Sequence, residues 1–350
     1  MRAQGAKETA IKPENPDMET AKAVRQGADA APHVFELFVT KGFCGFELSA
    51  VTHVLRSANQ LMTQDLFDWR FVSNEPGLVS GKDGMLVRAE PAIPDHGFGD
   101  AMIVVGGDKA RADTWLARVR AMQRRNLPVV LLSDAATAYI RAAKAPPGKV
   151  TTHWRDVFTL QETGYFPNLT SRFAERSDGI VTAAGAGATA ELVIGLIAPW
   201  MESTQVAELG NQLLLHTIRK GDAEQPKDIA DNAGLFDARV TEAIRLMENS
   251  IAEPMSMAEL TDQAGLSTRH LERVFRKVFN DTPAKFYKRL RARKARAMIE
   301  ETLMPMVEIA VATGFGSSDT LARAVREEYG VTPSKMRARK KINLLGQGDP

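Results

Sequence analysis

A segment near the C-terminal end of this chain is written twice, about fifty residues apart, and no other feature limits the fold as tightly. The first copy runs from Ala264-Gly265-Leu266-Ser267 to Thr282-Pro283, the second from Thr313-Gly314-Phe315-Gly316 to Thr332-Pro333. Each copy sets a short helical pattern (257–264, then 306–313) before a Gly-containing turn and a longer helical pattern (268–279, then 318–329). Two helices joined by a short turn, repeated at a fixed interval, predict a duplicated helix-turn-helix.

The chemistry follows from the residues left outside on each second helix. In 267–279 the apolar residues Leu271, Val274, Phe275 and Val278 recur at spacings of three and four, which predicts a buried stripe and leaves Arg269, His270, Glu272, Arg273 and Arg276 outward. Ser267 suits an N-cap, placing Arg269 and His270 in the first turn, where recognition helices meet base edges. In the second copy Leu321, Val325 and Tyr329 face inward, and Ser318, Asp319, Ala322, Arg323 and Arg326 face out. An outward arginine can give two hydrogen bonds to guanine, worth roughly 1 to 3 kcal/mol of discrimination.

Between the copies, residues 285–296 carry seven Lys/Arg in twelve positions, with Phe286, Leu290 and Met298 available as an inner face. A basic run is commonly just a solvated face. Between two helix-turn-helix units it is expected to be the helix that fixes their separation, with Lys288 and Arg291 as phosphate contacts. Charge agrees: residues 236–341 hold 20 Lys/Arg against 14 Asp/Glu, residues 1–235 hold 25 against 28, and the whole chain is only +2. The basic end is the end suited to a polyanion.

At 350 residues, 44% of them apolar, the chain is long enough for two cores. It carries one cysteine, Cys44, which excludes an internal disulfide and a Cys-rich zinc site. His33, His53, His96 and His216 lack metal-ligand spacing, so no metal and no cofactor are expected. Gly106-Gly107-Asp108 lacks the spacing and the lysine of a nucleotide loop. No apolar run is long enough for a membrane span or placed as a secretory signal, so a soluble, cytoplasmic protein with no membrane partner is expected.

Residues 1–31 are polar and aperiodic and read as a tail, as do 342–350. Over 32–220, candidate strands (33–40, 69–74, 102–106, 129–133, 172–175, 179–182) alternate with candidate helices (47–62, 114–125, 136–143, 188–201, 204–215). This alternation predicts an α/β domain, a mainly parallel sheet flanked by helices. Residues 221–235 read as a linker, and 236–341 as an all-α domain.

The run Ile309-Ala310-Val311-Ala312-Thr313-Gly314-Phe315, then Leu321-Ala322-Arg323-Ala324-Val325-Arg326 and Tyr329-Gly330-Val331-Thr332-Pro333, resembles the signature of the AraC/XylS family of transcription regulators. Leu321, Val325 and Met336 depart from it, replacing aromatic residues with apolar ones at inward positions. The resemblance implies double-stranded promoter DNA as partner and RNA polymerase contact if the protein is an activator.

The first domain resembles the DJ-1/PfpI, or class I glutamine-amidotransferase-like, fold. The resemblance rests on Leu55-Arg56-Ser57-Ala58-Asn59, Val104-Val105-Gly106-Gly107, Thr151-Thr152-His153-Trp154 and Thr182-Ala183-Ala184-Gly185-Ala186-Gly187-Ala188. Enzymes of that fold place a cysteine on a tight strand-to-helix turn. Here the turn reads Ser133-Asp134-Ala135-Ala136; allowing one deletion aligns Asp134 with the nucleophile, and an ungapped count aligns Ser133. Cys44 lies at another corner and reads as a small buried hydrophobe. Ser133 with His153 would make a serine hydrolase, but no Gly-x-Ser-x-Gly elbow is present, and a non-enzyme is expected.

Without a nucleophile, a pocket at the C-terminal edge of the sheet suits a small-molecule effector. Its expected lining is Phe43, Cys44, Gly106, Gly107, Ser133, Asp134, His153 and Trp154. A cationic amine could pair with Asp134 and lie on Trp154, against simpler roles for Asp134 as a helix N-cap and Trp154 as core. The resemblance implies amino acids or methylated amines as effectors. The apolar helix 188–201 suits either the core or a homodimer contact.

Overall fold

A computed structural model describes residues 31–93, 96–107, 112–143, 146–164, 166–226, 228–231 and 236–338. All but residue 31 of the two expected tails lie outside the described residues, as do 227 and 232–235 of the expected linker. The described chain divides into two compact units, one of 31–142 with 173–223 and the other of 143–172 with 224–338.

The first unit is built on strands β1 (His33–Phe38), β2 (Phe67–Ser73), β3 (Gly77–Ser80), β4 (Leu86–Pro91), β5 (Ala101–Val104), β6 (Val129–Leu132), β7 (Ala174–Ser177) and β8 (Ile180–Ala183). They form one sheet in the order β3-β4-β2-β1-β5-β6-β8-β7. β4, β2, β1, β5, β6 and β8 pair in parallel, while β3 on β4 and β7 on β8 are antiparallel edges. The central strands read as continuous apolar runs because both faces are covered. Phe35, Leu37, Ile103 and Leu132 belong to one core layer, and Phe38, Met102, Val104 and Leu131 to the other.

The helices of this unit are α1 (Gly45–Met62), α2 (Ala112–Gln123), α3 (Ser133–Ala143), α5 (Thr189–Ile197) and α6 (Ser203–Gln212), with α4 (Trp154–Thr163) belonging to the second unit. Sequence periodicity had no candidate for α4, nor for the β3–β4 hairpin. The expected helix 188–201 is α5 followed by a short 3-10 turn, and its Leu192, Val193, Ile194 and Ile197 are spent on the core.

In the second unit α7 (Ala238–Asn249), α8 (Met257–Gln263), α9 (Thr268–Phe279), α10 (Pro283–Glu301), α11 (Met306–Ala312) and α12 (Ser318–Tyr329) build two small cores. The first gathers Ile244, Met247, Leu260, Leu271, Phe275 and Phe286, and the second Met298, Ile299, Ile309, Phe315, Leu321 and Val325. α10 contributes to both. α8–α9 and α11–α12 are the two helix-turn-helix units that the repeat predicts.

The expected boundary at 220 therefore does not follow the compact units, because residues 143–172 group with the C-terminal residues. Within the second unit Arg172 bridges Glu224, Val150 bridges Leu169, and Ser171 Oγ donates to Glu224 at 2.6 Å. The buried Gln225 completes the fastening: its Nε2 donates to the Thr152 and Arg172 carbonyls at 2.7 and 2.8 Å, and its Oε1 accepts the Trp154 N–H at 2.8 Å. A segment read as linker is thus ordered by a polar side chain whose amide is satisfied on both ends.

Candidate nucleic-acid interface and elbow cluster

α9 starts where Ser267 accepts the His270 N–H at 3.3 Å, and α12 where Ser317 accepts the Thr320 N–H at 3.3 Å. Both serines satisfy a donor that the first helical turn would leave unpaired. Leu271 and Phe275 are buried on α9, and Leu321, Ala324 and Val325 on α12. Val278, expected inside, is 45% exposed, because the buried stripe runs through 271, 275 and 279. Phe279 takes the inner place, its ring 4.5 Å from that of Phe286.

Opposite those stripes Arg269, Glu272, Arg273, Arg276, Asp319, Arg323 and Arg326 are exposed, while His270 and Ser318 are half-buried. Arg273 Nη2 meets His270 Nδ1 at 3.2 Å. The side chains of Arg269, Arg276, Arg323 and Arg326 make no hydrogen bond or ion pair with the described residues, so their guanidinium donors are free for an outside acceptor.

The cations of α10 are disposed differently. Lys288 Nζ is held by Glu327 of α12 at 2.6 Å, and Arg293 faces the buried Glu248 of α7 at 3.7 Å. Arg296 pairs with Glu300 at 2.9 Å and lies over the Tyr329 ring. Arg291 is half-buried, donates to the Gly314 carbonyl at 3.3 Å and stacks 4.5 Å from the Phe315 centroid. Burial lowers the pKa of Arg291. Lys288 and Arg291, expected as phosphate contacts, thus have partners within the protein.

In the first unit the strand-to-helix turn after β6 settles which residue occupies the elbow. Ser133 has φ +39°, the left-handed conformation that a side chain adopts only under constraint, and Asp134 follows it inside α3. Of the two residues the sequence offers, Ser133 is the one that takes the left-handed turn conformation. Asp134 Oδ1 accepts the Gly107 N–H at 2.6 Å and the Ser133 hydroxyl at 3.3 Å.

Beneath the turn lies a carboxyl the sequence reading passed over. Glu47, in the first turn of α1, is buried; its Oε2 accepts the Gly106 N–H at 2.9 Å and its Oε1 the Ala186 N–H at 2.8 Å. Burial pushes its pKa up; the Ala186 N–H, Ser133 and the Gly106 N–H act against that, and the charge of Asp134 adds to it. A signal was present: a glutamate at the start of the stripe of Leu48, Val51 and Val54 is a carboxyl aimed at the core.

At Gly106 a Cβ would overlap Ser133 Oγ and come 2.6 Å from Asp134 Oδ1, so the cluster as it stands is closed over a glycine. Gly107 packs equally close, its would-be Cβ 2.7 Å from the Phe43 Cα. Of the expected pocket residues in this unit, Cys44, Gly106, Gly107, Ser133 and Asp134 gather around Glu47. Phe43 is fully buried in the core. Cys44 is the N-cap residue of α1 without a side-chain capping bond, its N–H donates to the Gly106 carbonyl at 2.6 Å, and burial raises its thiol pKa. An open cavity of about 350 Å³, lined by Arg56, Asn59, Asp65 and Trp69, lies at the other end of α1.

His153 and Trp154 belong to the second unit. His153 is the N-cap of α4, its Nδ1 accepting the Arg155 N–H at 3.3 Å, and burial lowers its pKa. Its ring lies 5.6 Å from that of Trp154, which Arg155 covers at 5.2 Å.

Among the described residues no cluster of His, Cys, Asp and Glu could hold a metal, and no helix is long and apolar enough to cross a membrane.

Comparison with known proteins places these observations. A helix-turn-helix domain model matches residues 260–339. Over 310 residues the chain is 27% identical to the HTH-type transcriptional regulator CdhR of Pseudomonas aeruginosa, covering 87% of this chain and 91% of that protein. It is 36% identical to a solved transcriptional regulator with an AraC-type DNA-binding domain from Chromobacterium violaceum, over 31% of this chain and 96% of that one, with a TM-score of 0.30. Toxoplasma gondii DJ-1 matches over 53% of this chain and 99% of its own, at 16% identity and a TM-score of 0.42. Relatives over nearly the full length are named as regulators, in agreement with the expectation of a non-enzyme.

Proposed function

We infer the action of the molecule from one premise: the chain belongs to the AraC/XylS family of helix-turn-helix transcriptional regulators. In this reading α9 and α12 enter successive major grooves of promoter DNA, ~34 Å apart, and read base edges with Arg269 and Arg323. His270, Glu272, Arg273 and Arg276 on α9, with Ser318, Asp319 and Arg326 on α12, flank those contacts. The observation that carries the reading is the contrast between helices: the outward arginines at 269, 276, 323 and 326 are unpartnered among the described residues, while Lys288, Arg291, Arg293 and Arg296 of α10 are engaged within the protein.

We further propose that DNA binding responds to a small metabolite, an amino acid or methylated amine, bound by the first domain, and that the protein acts in the cytoplasm as an activator, in contact with RNA polymerase. Supporting the sensor reading is an elbow that holds Ser133 among carboxyls instead of a cysteine. A thermal-shift screen of amino acids and quaternary amines on the full chain tests it, since a ligand at one hundred times its Kd stabilises by about 2.7 kcal/mol. No shift with any compound would leave a ligand-independent regulator, with the first domain serving as a homodimer scaffold.

A further inference from the structure

Two residues one helical turn apart on α10 hold the two helix-turn-helix units together. Tyr287, itself buried, donates its hydroxyl to the Ser250 carbonyl at 2.7 Å and accepts the Met255 N–H at 3.3 Å, fixing the loop that leads into α8. Arg291 donates to the Gly314 carbonyl and lies over Phe315, fixing the turn between α11 and α12. The loop and the turn touch. At Gly314, with φ +69°, a Cβ would stand 2.5 Å from the Ile251 carbonyl oxygen and 2.6 Å from Pro254 Cγ.

We propose that Arg291 is a positioning residue that fixes the separation of α9 and α12, and with it the spacing of the two DNA half-sites that the chain accepts. The inference rests on the reading of α9 and α12 given above. Each unit carries its own small core, so without a joint the two would be related only through their separate packing on α10. Arg291 closes the joint from one side and Tyr287 from the other, and the ring of Phe315 under the guanidinium is anchored in the second core. The exposed Lys288–Glu327 pair spans the same elements, but solvent screening leaves such a pair little hold. One inserted base pair displaces a half-site by about 3.4 Å and turns it by roughly a tenth of a revolution, more than a packed joint accommodates.

The test begins with enrichment of duplexes from a random 40-base-pair library by the full chain, at roughly the length two half-sites require. Binding is then measured to the enriched pair of half-sites at native spacing and with one or two base pairs inserted, across a salt series. The parent should prefer native spacing roughly tenfold or more. Arg291→Met should bring that preference within about threefold and leave the salt slope unchanged. Gly314→Ala, which breaks the joint without removing a charge, should do the same.

If Gly314→Ala does not fold by circular dichroism, Tyr287→Phe replaces it. Arg323→Ala should weaken binding at every spacing and keep the preference. An Arg291→Met protein that keeps the native preference overturns the proposal; if its salt slope also falls by about 0.9, the residue is a phosphate contact. A parent chain that enriches no duplex defeats the DNA reading itself, a separate result.

Discussion

The side-chain amide of Gln225 donates to the carbonyl of Thr152 at 2.7 Å, joining a residue just before the C-terminal helices to one seventy-three positions earlier in the chain. Its other bonds reach the Arg172 carbonyl and the Trp154 N–H. Replacing Gln225 by Ala strips these buried groups of their partner and should cost about 1 to 3 kcal/mol. Amide exchange at Trp154 should accelerate by the same free energy. Unchanged exchange there would mean that water takes over the role of the amide.

Glu36 is fully buried between Arg118 and Arg70, at 2.7 and 2.6 Å. Burial pushes its pKa up, but the hydrogen bonds from Arg118 and Arg70 outweigh it and hold the carboxyl below its ordinary 4.5. A carboxyl whose folded pKa is depressed contributes stability above its unfolded pKa and loses it as pH falls through the folded one. Urea unfolding should therefore show a stability loss below pH 4.5 that Glu36→Gln lacks. At pH 7 the same substitution leaves Arg118 buried without its counter-charge and should cost roughly 3 to 5 kcal/mol.

Glu47 has the opposite sign. Its folded pKa lies above 4.5, so between that value and the folded pKa the native state holds a proton that the unfolded chain releases. The stabilising contribution is complete below 4.5 and declines as pH rises toward the folded pKa. Glu47→Gln should flatten this decline above pH 4.5 in urea titrations. It should also cost about 1 to 2 kcal/mol at the acid end, because an amide NH2 then faces the Gly106 or Ala186 N–H. Parallel pH profiles for parent and variant would place the proton elsewhere.

Gly106→Ala sets a methyl group against Ser133 and Asp134. Ser133 Oγ, Asp134 Oδ1 and Glu47 Oε2 must turn away and give up bonds of the cluster, and the loss should be about 1 to 3 kcal/mol, visible as a fall in thermal midpoint.

Arg269→Ala and Arg323→Ala should each relax base preference at one half-site by about 1 to 3 kcal/mol in competition binding, with the fold intact. Footprints identical to the parent for both would remove α9 and α12 from the grooves.

The helix-turn-helix units were legible because their buried stripes obey the helical period and their caps are serines. Other elements gave no such pattern. The β3–β4 hairpin turns Leu78 and Leu86 to the outside, 77% and 62% exposed, so no inward alternation marks it. α4 is capped by His153, a residue no capping rule nominates. Lys288 and Arg291 read as phosphate contacts with no sign of a partner within the chain, because those partners lie 39 and 23 residues away, beyond any local pattern. Glu47 drew no reading because its partners, the Gly106 and Ala186 N–H groups, lie 59 and 139 residues away.

Residues 143–172 leave the α/β unit after α3 and group with the C-terminal residues, and the chain then returns to the sheet as β7. The two units are therefore not beads on a string: the chain passes between them more than once. A single cut just before Gln225 would give a C-terminal fragment lacking the strip that Gln225 grips, and an N-terminal fragment carrying that strip with nothing to hold it. Joining sensor and reader modules of relatives before Gln225 would leave its amide without the Thr152, Trp154 and Arg172 groups, whereas a junction that carries residues 143–172 with the C-terminal helices keeps those bonds.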